Sequence, residues 1–366
     1  MGKYEAVPRK AAPAGSSKKK KHIGLWITLA VLLVIVAWGV WFFTSPPPQD
    51  AIGTPSQPTD PVTPPENPDI SDASGDETQE PAMGEEPEPL DTVKELKEDF
   101  YTILLAGTVD DYNTDTLMLC SVDTKNSKVK LVSINRDTQV DASITIPKIN
   151  AMYGWQGPET MCQKVTELTG IPINDYVVIN MDSFIKVIDM IGGVDYNVPF
   201  DMVHPDLDKT FDINLPAGQR TLTGKEALQF VRYRSTSEND FGRVNRQKDF
   251  LVATVKQVLQ KFSLSQIEGY IQIFSENVKT SLTLQEMVWY VTNVAAKLNF
   301  AEDVTSDTLP YAATGYWTNP NAKKYATQSY VYLDPQQVVD YVNENLNPYN
   351  TDLTVEDVHI PHWIND

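Results

Sequence analysis

Cysteine is scarce, with two in 366 residues. That excludes a disulfide scaffold and a Cys-rich zinc module. A basic balance is missing as well: 49 acidic residues outweigh 30 Lys and Arg, and the formal net charge is −19. Nucleic acid is thereby excluded as the main partner, because a phosphate backbone needs a basic face. No G-x-S-x-G elbow, H-E-x-x-H helix or Walker A loop occurs, which argues against serine-hydrolase, zincin and P-loop chemistry. Of four histidines, His22 and His204 have no evident partners, and His359 and His362 carry no metal pattern by themselves. S-x-x-K occurs at Ser17, Ser127 and Ser183 with no K-T-G partner, so it identifies nothing. No internal repeat is visible.

What is present is unevenly distributed. Residues 1–22 carry Lys3, Arg9, Lys10 and Lys18 to Lys21 against the single acid Glu5. Then GLWITLAVLLVIVAWGVWFF runs over 24–43 without a charge. As a helix these residues span about 30 Å, the thickness of a bilayer core. Trp26 near one end and Trp38 and Trp41 near the other suit the two interfaces. No polar stripe and no small-residue cleavage site interrupts the run, so 23–44 reads as a retained membrane helix. Cations before it and acids after it predict a cytoplasmic N-terminus and an extracellular remainder.

Residues 45–92 hold twelve of the 25 prolines, twelve acids and no Lys or Arg. Such a stretch cannot bury enough surface to offset its ordering entropy, and reads as a disordered, extended tether. Residues 93–366 read as one folded α/β unit, with strand patterns at 100–106, 116–122, 129–135 and 176–180. Helix patterns lie at 158–169, 182–191, 223–233 and 242–262. Thr223 and Glu226 have capping-box spacing. The tail from 263 adds helix, a strand-like YVYL at 330–333 and a helix from Asp334. Strands interleaved with helices predict a sheet covered on both faces.

The arginines are the most informative feature. Six occur in 93–366, and Arg232, Arg234, Arg243 and Arg246 fall within fifteen residues. Guanidinium groups match phosphate or carboxylate bidentately, so the cluster reads either as an anion site or as a solvated salt-bridge network. Arg243, Arg246 and Gln247 share a helical face at i, i+3 and i+4. Asp240 precedes that helix and can cap it or bind a cation. Asp115 opens a strand after the acidic turn DDYNTD, which also holds Asp110 and Asp111. Carboxylates at a strand edge suit a hard cation such as Mg2+. Arg136 and Asp137 end the next strand, where ligands of open α/β sheets sit.

Five ordered segments, DTLMLCSVDTKNSKVKLVSINRDTQV, KINAMYGW, DYVVINMDSFIKVIDMIGGVDYNVPFDM, LPAGQRTLTGKEALQFVRYR and DFGRVNRQKDFL, resemble the LytR–CpsA–Psr family of bacterial cell-wall glycopolymer ligases. The resemblance covers about 98–260, with 263–366 as a C-terminal extension. It implies a single extracellular α/β/α sandwich with a central mixed sheet, behind one membrane helix, in a bacterium of Gram-positive type. It also implies transfer of a glycosyl phosphate from a polyprenyl-pyrophosphate carrier to a peptidoglycan hydroxyl, with Mg2+ or Mn2+ at the pyrophosphate. Teichoic acid and capsule are the expected polymer classes. By the same resemblance Asp115, Arg136, Arg243 and Asp240 are catalytic, and Arg136, Arg232, Arg234, Arg243 and Gln247 hold pyrophosphate. Lys148, Asn150 and Arg246 are secondary candidates, and Asp115, Asp110 and Asp111 the metal ligands. The chain departs from the family pattern at GTVDD (107–111) and at Asn113, where many members carry Arg. Those departures keep open a non-catalytic lipid-binding or regulatory protein. A lipid pyrophosphatase, with water replacing the sugar hydroxyl, is a further alternative. Cys120 and Cys162 are left undecided between thiols and a disulfide.

Overall fold

Period-two apolar patterns in three consecutive segments build the centre of the molecule. The computed structural model describes residues 45–52, 94–109, 112–205, 212–234, 239–261, 271, 274–319 and 327–361, with the side chains of 239–241 and 244 outside that description. Two units divide at Pro46, and all the named elements belong to the second. The strands are β1 (Phe100–Thr108), β2 (Thr114–Asp123), β3 (Lys128–Ser133), β4 (Asp175–Asn180), β5 (Val194–Val198) and β6 (Met202–His204). They continue with β7 (Ile213–Leu215), β8 (Gly218–Leu222), β9 (Lys279–Thr280), β10 (Val304–Thr308), β11 (Ala313–Thr318) and β12 (Thr327–Tyr332). The α-helices are α1 (Met152–Gln156), α2 (Pro158–Thr169), α3 (Met181–Met190), α4 (Gly224–Arg232), α5 (Asn239–Lys261), α6 (Leu284–Trp289), α7 (Phe300–Asp303) and α8 (Pro335–Asn345).

The central sheet has the order β10-β3-β2-β1-β4-β9. β4 runs parallel to β1, and β10 parallel to β3, while β2 is antiparallel to both of its neighbours. Four strands, β1, β3, β4 and β10, therefore point the same way. Both faces are apolar, as alternation demands of a covered sheet. Leu104, Ala106, Leu117, Leu119, Val132 and Ile134 pack under α2 and α8. Tyr101 and Val122 face Trp289 and Val294 on the other side. A second core joins α3, α4 and α5 to the pairs β5–β8 and β6–β7. The mixed sheet between helical layers agrees with the expected fold class.

The helix expected at 223–233 is α4, and its capping box is present in full. The C-terminal extension is structural: β9 and β10 are the two edge strands of the sheet, and α8 covers its core. The tether expected over 45–92 differs at its start. Gln49 Nε2 donates to the carbonyls of Lys97 at 2.9 Å and Phe100 at 3.1 Å. Ile52 N donates to the Ile173 carbonyl at 2.6 Å, and its side chain packs on the main core. One apolar side chain and one amide suffice to anchor this short stretch. The rest of that segment and the membrane helix expected at 23–44 lie outside the described residues. No helix among the described residues is long and apolar enough to cross a membrane. Cys120 and Cys162 are free thiols, and burial pushes each up to about 12, far from nucleophilic range.

Candidate active site

The shared direction of β1, β3, β4 and β10 brings four strand ends to one edge of the sheet, the place where open α/β folds bind ligands. Asp115 enters this edge at the start of antiparallel β2, and Arg136 lies three residues beyond the end of β3. Their side chains form an ion pair, Arg136 Nη1 to Asp115 Oδ1, with 31% and 35% of each side chain exposed. Both are thus reachable by a ligand. Arg136 Nε also lies 3.8 Å from Asp137 Oδ2, and Asp137 Oδ1 is 2.8 Å from Lys148 Nζ. The chain of charges runs Asp115, Arg136, Asp137, Lys148.

The segment holding this chain is pinned by its main chain. Asn150 N donates to the Arg136 carbonyl at 3.2 Å. β12 lies alongside: Val331 N donates to the Asp137 carbonyl, and Gln139 N to the Val331 carbonyl, both at 3.0 Å. Lys148 is 7% exposed and its ammonium sits 5.2 Å from the centre of the Tyr330 ring. Lys148 and Asn150 therefore position the Arg136–Asp137 turn. Across the site, the loop after β1 packs directly on α1, where a Cβ on Gly154 would come within 2.5 Å of the Tyr112 carbonyl oxygen.

The arginine cluster resolves into two groups. Arg232 ends α4 and the exposed Arg234 follows it. On α5, Arg243 and Arg246 are each 7% exposed, not on a solvated face. Arg246 Nη2 donates to the Tyr233 carbonyl at 2.7 Å, and its guanidinium lies 5.5 Å from the Tyr233 ring centre. Gln247 Nε2 donates to the Val231 carbonyl at 3.2 Å. The shared face of α5 thus satisfies the carbonyls that the end of α4 leaves over, and fixes the segment bearing Arg232 and Arg234. The side chain of Asp240 lies outside the described residues.

Two clefts flank the Asp115–Arg136 pair along the sheet edge. One, of 320 Å³, lies at the end of β4, lined by Tyr153, Asn180, Ser183, Asn277 and Lys279. The other, of 460 Å³, lies at the end of β10, lined by Asn245, Lys248, Thr308, Leu309 and Tyr311. The second brings Asn245 and Lys248 of α5 to the sheet edge that carries Arg136. Of the aromatics in the motif segments, Phe230 is a core residue at 1% exposure, whereas Tyr153 lines the first cleft.

Asp115 suits a hard cation in part. Its Oδ1 accepts from Arg136, while Oδ2 takes no hydrogen bond among the described residues. Asp110 and Asp111 lie outside the described residues. Among the described residues no group of three or more His, Cys, Asp or Glu side chains gathers as a metal centre. The sequence did not single out Tyr330 or Lys248. Neither carries a local signal, since a stacked tyrosine and a buried lysine are products of packing between segments far apart in the chain.

A profile of the LytR_cpsA_psr family matches residues 70–347, wider than the motif core of 98–260. The chain is 34% identical over 207 residues to the polyisoprenyl-teichoic acid–peptidoglycan teichoic acid transferase TagV of Bacillus subtilis (strain 168), covering 53% of each chain. The transferase TagU of Bacillus mycoides (strain KBAB4) is 32% identical over 237 residues, covering 62% of this chain and 76% of the relative. The crystal structure of B. subtilis TagV matches with a TM-score of 0.55 at 28% identity, over 66% of this chain and 94% of that one. The chain spans about half the length of TagV and about three quarters of that TagU. The ordered motifs, the mixed sheet and these matches lead to one conclusion: this chain belongs to the LytR–CpsA–Psr family.

Proposed function

We propose that the protein is a phosphotransferase of cell-wall assembly. Its donor is a glycopolymer on a polyprenyl-pyrophosphate carrier, and its acceptor a peptidoglycan hydroxyl. The acceptor oxygen attacks the phosphorus on the sugar side of the pyrophosphate. The P–O–P bridge breaks, polyprenyl phosphate leaves, and a phosphodiester joins glycan to wall. The observation that carries this reading is the half-exposed Asp115–Arg136 pair at the strand ends. It offers one cation to a phosphate and one carboxylate to a hydroxyl.

Phosphoryl transfer needs charge neutralised on non-bridging oxygens and a nucleophile held in line. Arg136, Arg232, Arg234 and Arg243 serve the first need by charge-assisted hydrogen bonds. Asp115 serves the second by orienting the acceptor hydroxyl and taking its proton. Gln247 and Arg246 hold the arginine-bearing segment in place, Lys148 and Asn150 hold the Arg136 turn, and Asp240 stands beside them in sequence. Mg2+ or Mn2+, bound by Asp115 with Asp110 and Asp111, would supply further charge neutralisation at the pyrophosphate. The apolar run at 24–43 would anchor the chain in the membrane, with the N-terminus cytoplasmic and the enzyme outside.

Full-length protein incubated with a polyprenyl-pyrophosphate sugar, Mg2+ and a peptidoglycan oligosaccharide should yield a sugar-phosphate adduct by mass spectrometry. Arg136→Ala should lower its rate by about 10²–10³, the usual cost of one electrostatic contact to a transition state, with an unchanged far-UV circular dichroism spectrum. Retained transfer in that variant would sink the assignment. Asn113 favours a second reading, non-catalytic carrier binding, which predicts bound lipid without phosphate release. Release without an acceptor would identify a pyrophosphatase.

A further inference from the structure

The cleft at the end of β10 contains a cation that the transfer chemistry above does not use. Lys248 is 3% exposed. An ammonium has three donors and no acceptor. Among the described residues Nζ makes one hydrogen bond, to the Asp307 carbonyl at 3.4 Å, near the limit of such a bond. Asp307 and Asp249 are the acids that attract it, yet burial outweighs them and holds its pKa below the ordinary lysine value. Among the described residues no carboxylate pairs with Lys248 within 4.0 Å. A buried charge short of acceptors is costly, so its open side needs a group that accepts.

The open side of Lys248 is the 460 Å³ cleft, whose wall also offers the Asn245 amide and the Thr308 hydroxyl. Asp307 lines it too, with its carboxylate Oδ1 accepting from Thr308 N at 2.8 Å. The cleft adjoins the Arg136 turn. Thr308 registers with Ser133, and Leu309 N donates to the Ser133 carbonyl at 2.9 Å, three residues before Arg136. Neighbouring strands lie only about 4.8 Å apart.

We propose that Lys248 and its cleft form a subsite for an anionic oxygen group, phosphate or carboxylate, on the sugar next to the donor pyrophosphate. That placement rests on the transferase reading; the anion site itself does not. The subsite makes the protein selective for acidic over neutral glycans, because an anion supplies acceptors that also carry the charge opposite to Lys248, which a hydroxyl or amide does not.

The test is isothermal titration of full-length, detergent-solubilised protein with three probes: N-acetylglucosamine 6-phosphate, glucuronic acid and uncharged N-acetylglucosamine. The two arms with charge separate phosphate from carboxylate as the preferred group. Lys248→Met should weaken the preferred anion at least tenfold and leave the uncharged sugar unaffected. Its melting temperature should hold or rise, since methionine fills the space without a buried charge. Arg136→Ala should slow transfer by about 10²–10³ and retain anion binding, which separates failure of the subsite from failure of the transferase reading. Anion binding lost in Arg136→Ala but intact in Lys248→Met would place the anion at the arginines and overturn the proposal. So would equal affinity for all three probes. If Lys248→Met does not fold, Asn245→Leu on the exposed cleft wall decides: at least threefold weakening supports the subsite, and no change overturns it.

Discussion

Arg246 illustrates how a residue's role is set by what it touches. It stands in an arginine cluster, yet its guanidinium is committed to the Tyr233 carbonyl and ring. Arg246→Ala should therefore act on stability first. Loss of the hydrogen bond and the ring contact should cost about 1–3 kcal/mol in urea unfolding, and pyrophosphate affinity should fall as Arg232 and Arg234 lose their support. Asp175 behaves differently. It is 7% exposed at the start of β4, accepts from Ser281 Oγ at 2.8 Å, and burial pushes its pKa up to about 6. Between the ordinary carboxylate value and about 6, the folded state keeps a proton that the unfolded state has released. Its contribution to stability is therefore complete below about pH 4 and is lost as pH rises to about 6. Asp175→Asn keeps the acceptor and removes the charge. It should be more stable than the parent by about 1–3 kcal/mol at pH 7.5, with no gain at pH 3.5. Thermal unfolding at the two pH values checks the sign. Neither behaviour is legible in sequence, where Arg246 and Asp175 are two of many charges; both follow from burial.

At the scale of elements, the strands and helices of the motif region were legible because their apolar periodicity is strong. β1, β2, β3 and β4 fall within a few residues of the patterns at 100–106, 116–122, 129–135 and 176–180. The pairs β5–β8 and β6–β7 were not legible, since strands of three to five residues hold too few alternations to stand out from loop. Gly224 sets how closely α3 and α4 approach. A Cβ on Gly224 would lie 2.3 Å from the Ile185 carbonyl oxygen, and backbone cannot yield there cheaply. Gly224→Ala should push the helices apart and cost about 1–3 kcal/mol, although alanine is the better helix former. Chemical denaturation tests this; an unchanged midpoint would contradict the packing.

At the scale of the molecule, the long C-terminal extension is part of the domain. It supplies both edge strands of the sheet, and Leu309, Leu333, Val338, Val339, Val342 and Leu346 of the main core. It also supplies Tyr330 beneath Lys148 and the β10 wall of the Lys248 cleft. A chain ending at residue 261 should therefore show no cooperative thermal transition, because removing these side chains leaves one face of the sheet in water. Circular dichroism melting is the measurement, and a sharp transition would show that the motif region folds unaided.

The sequence by itself determined the class of this protein. Periodicity fixed the interleaved strands and helices, and five ordered motif segments carried the resemblance to the family. Those signals are local, carried by residues within one or two elements. Tertiary structure decided the rest: that Asp115 and Arg136 pair, that Arg246 and Gln247 brace the end of α4, that Lys148 stacks on Tyr330, and that Lys248 is buried beside an open cleft. Each joins residues from 13 to more than 180 positions apart. Such contacts come from the strand order, which brings the ends of β1, β3, β4 and β10 to one edge, and no local pattern encodes that order.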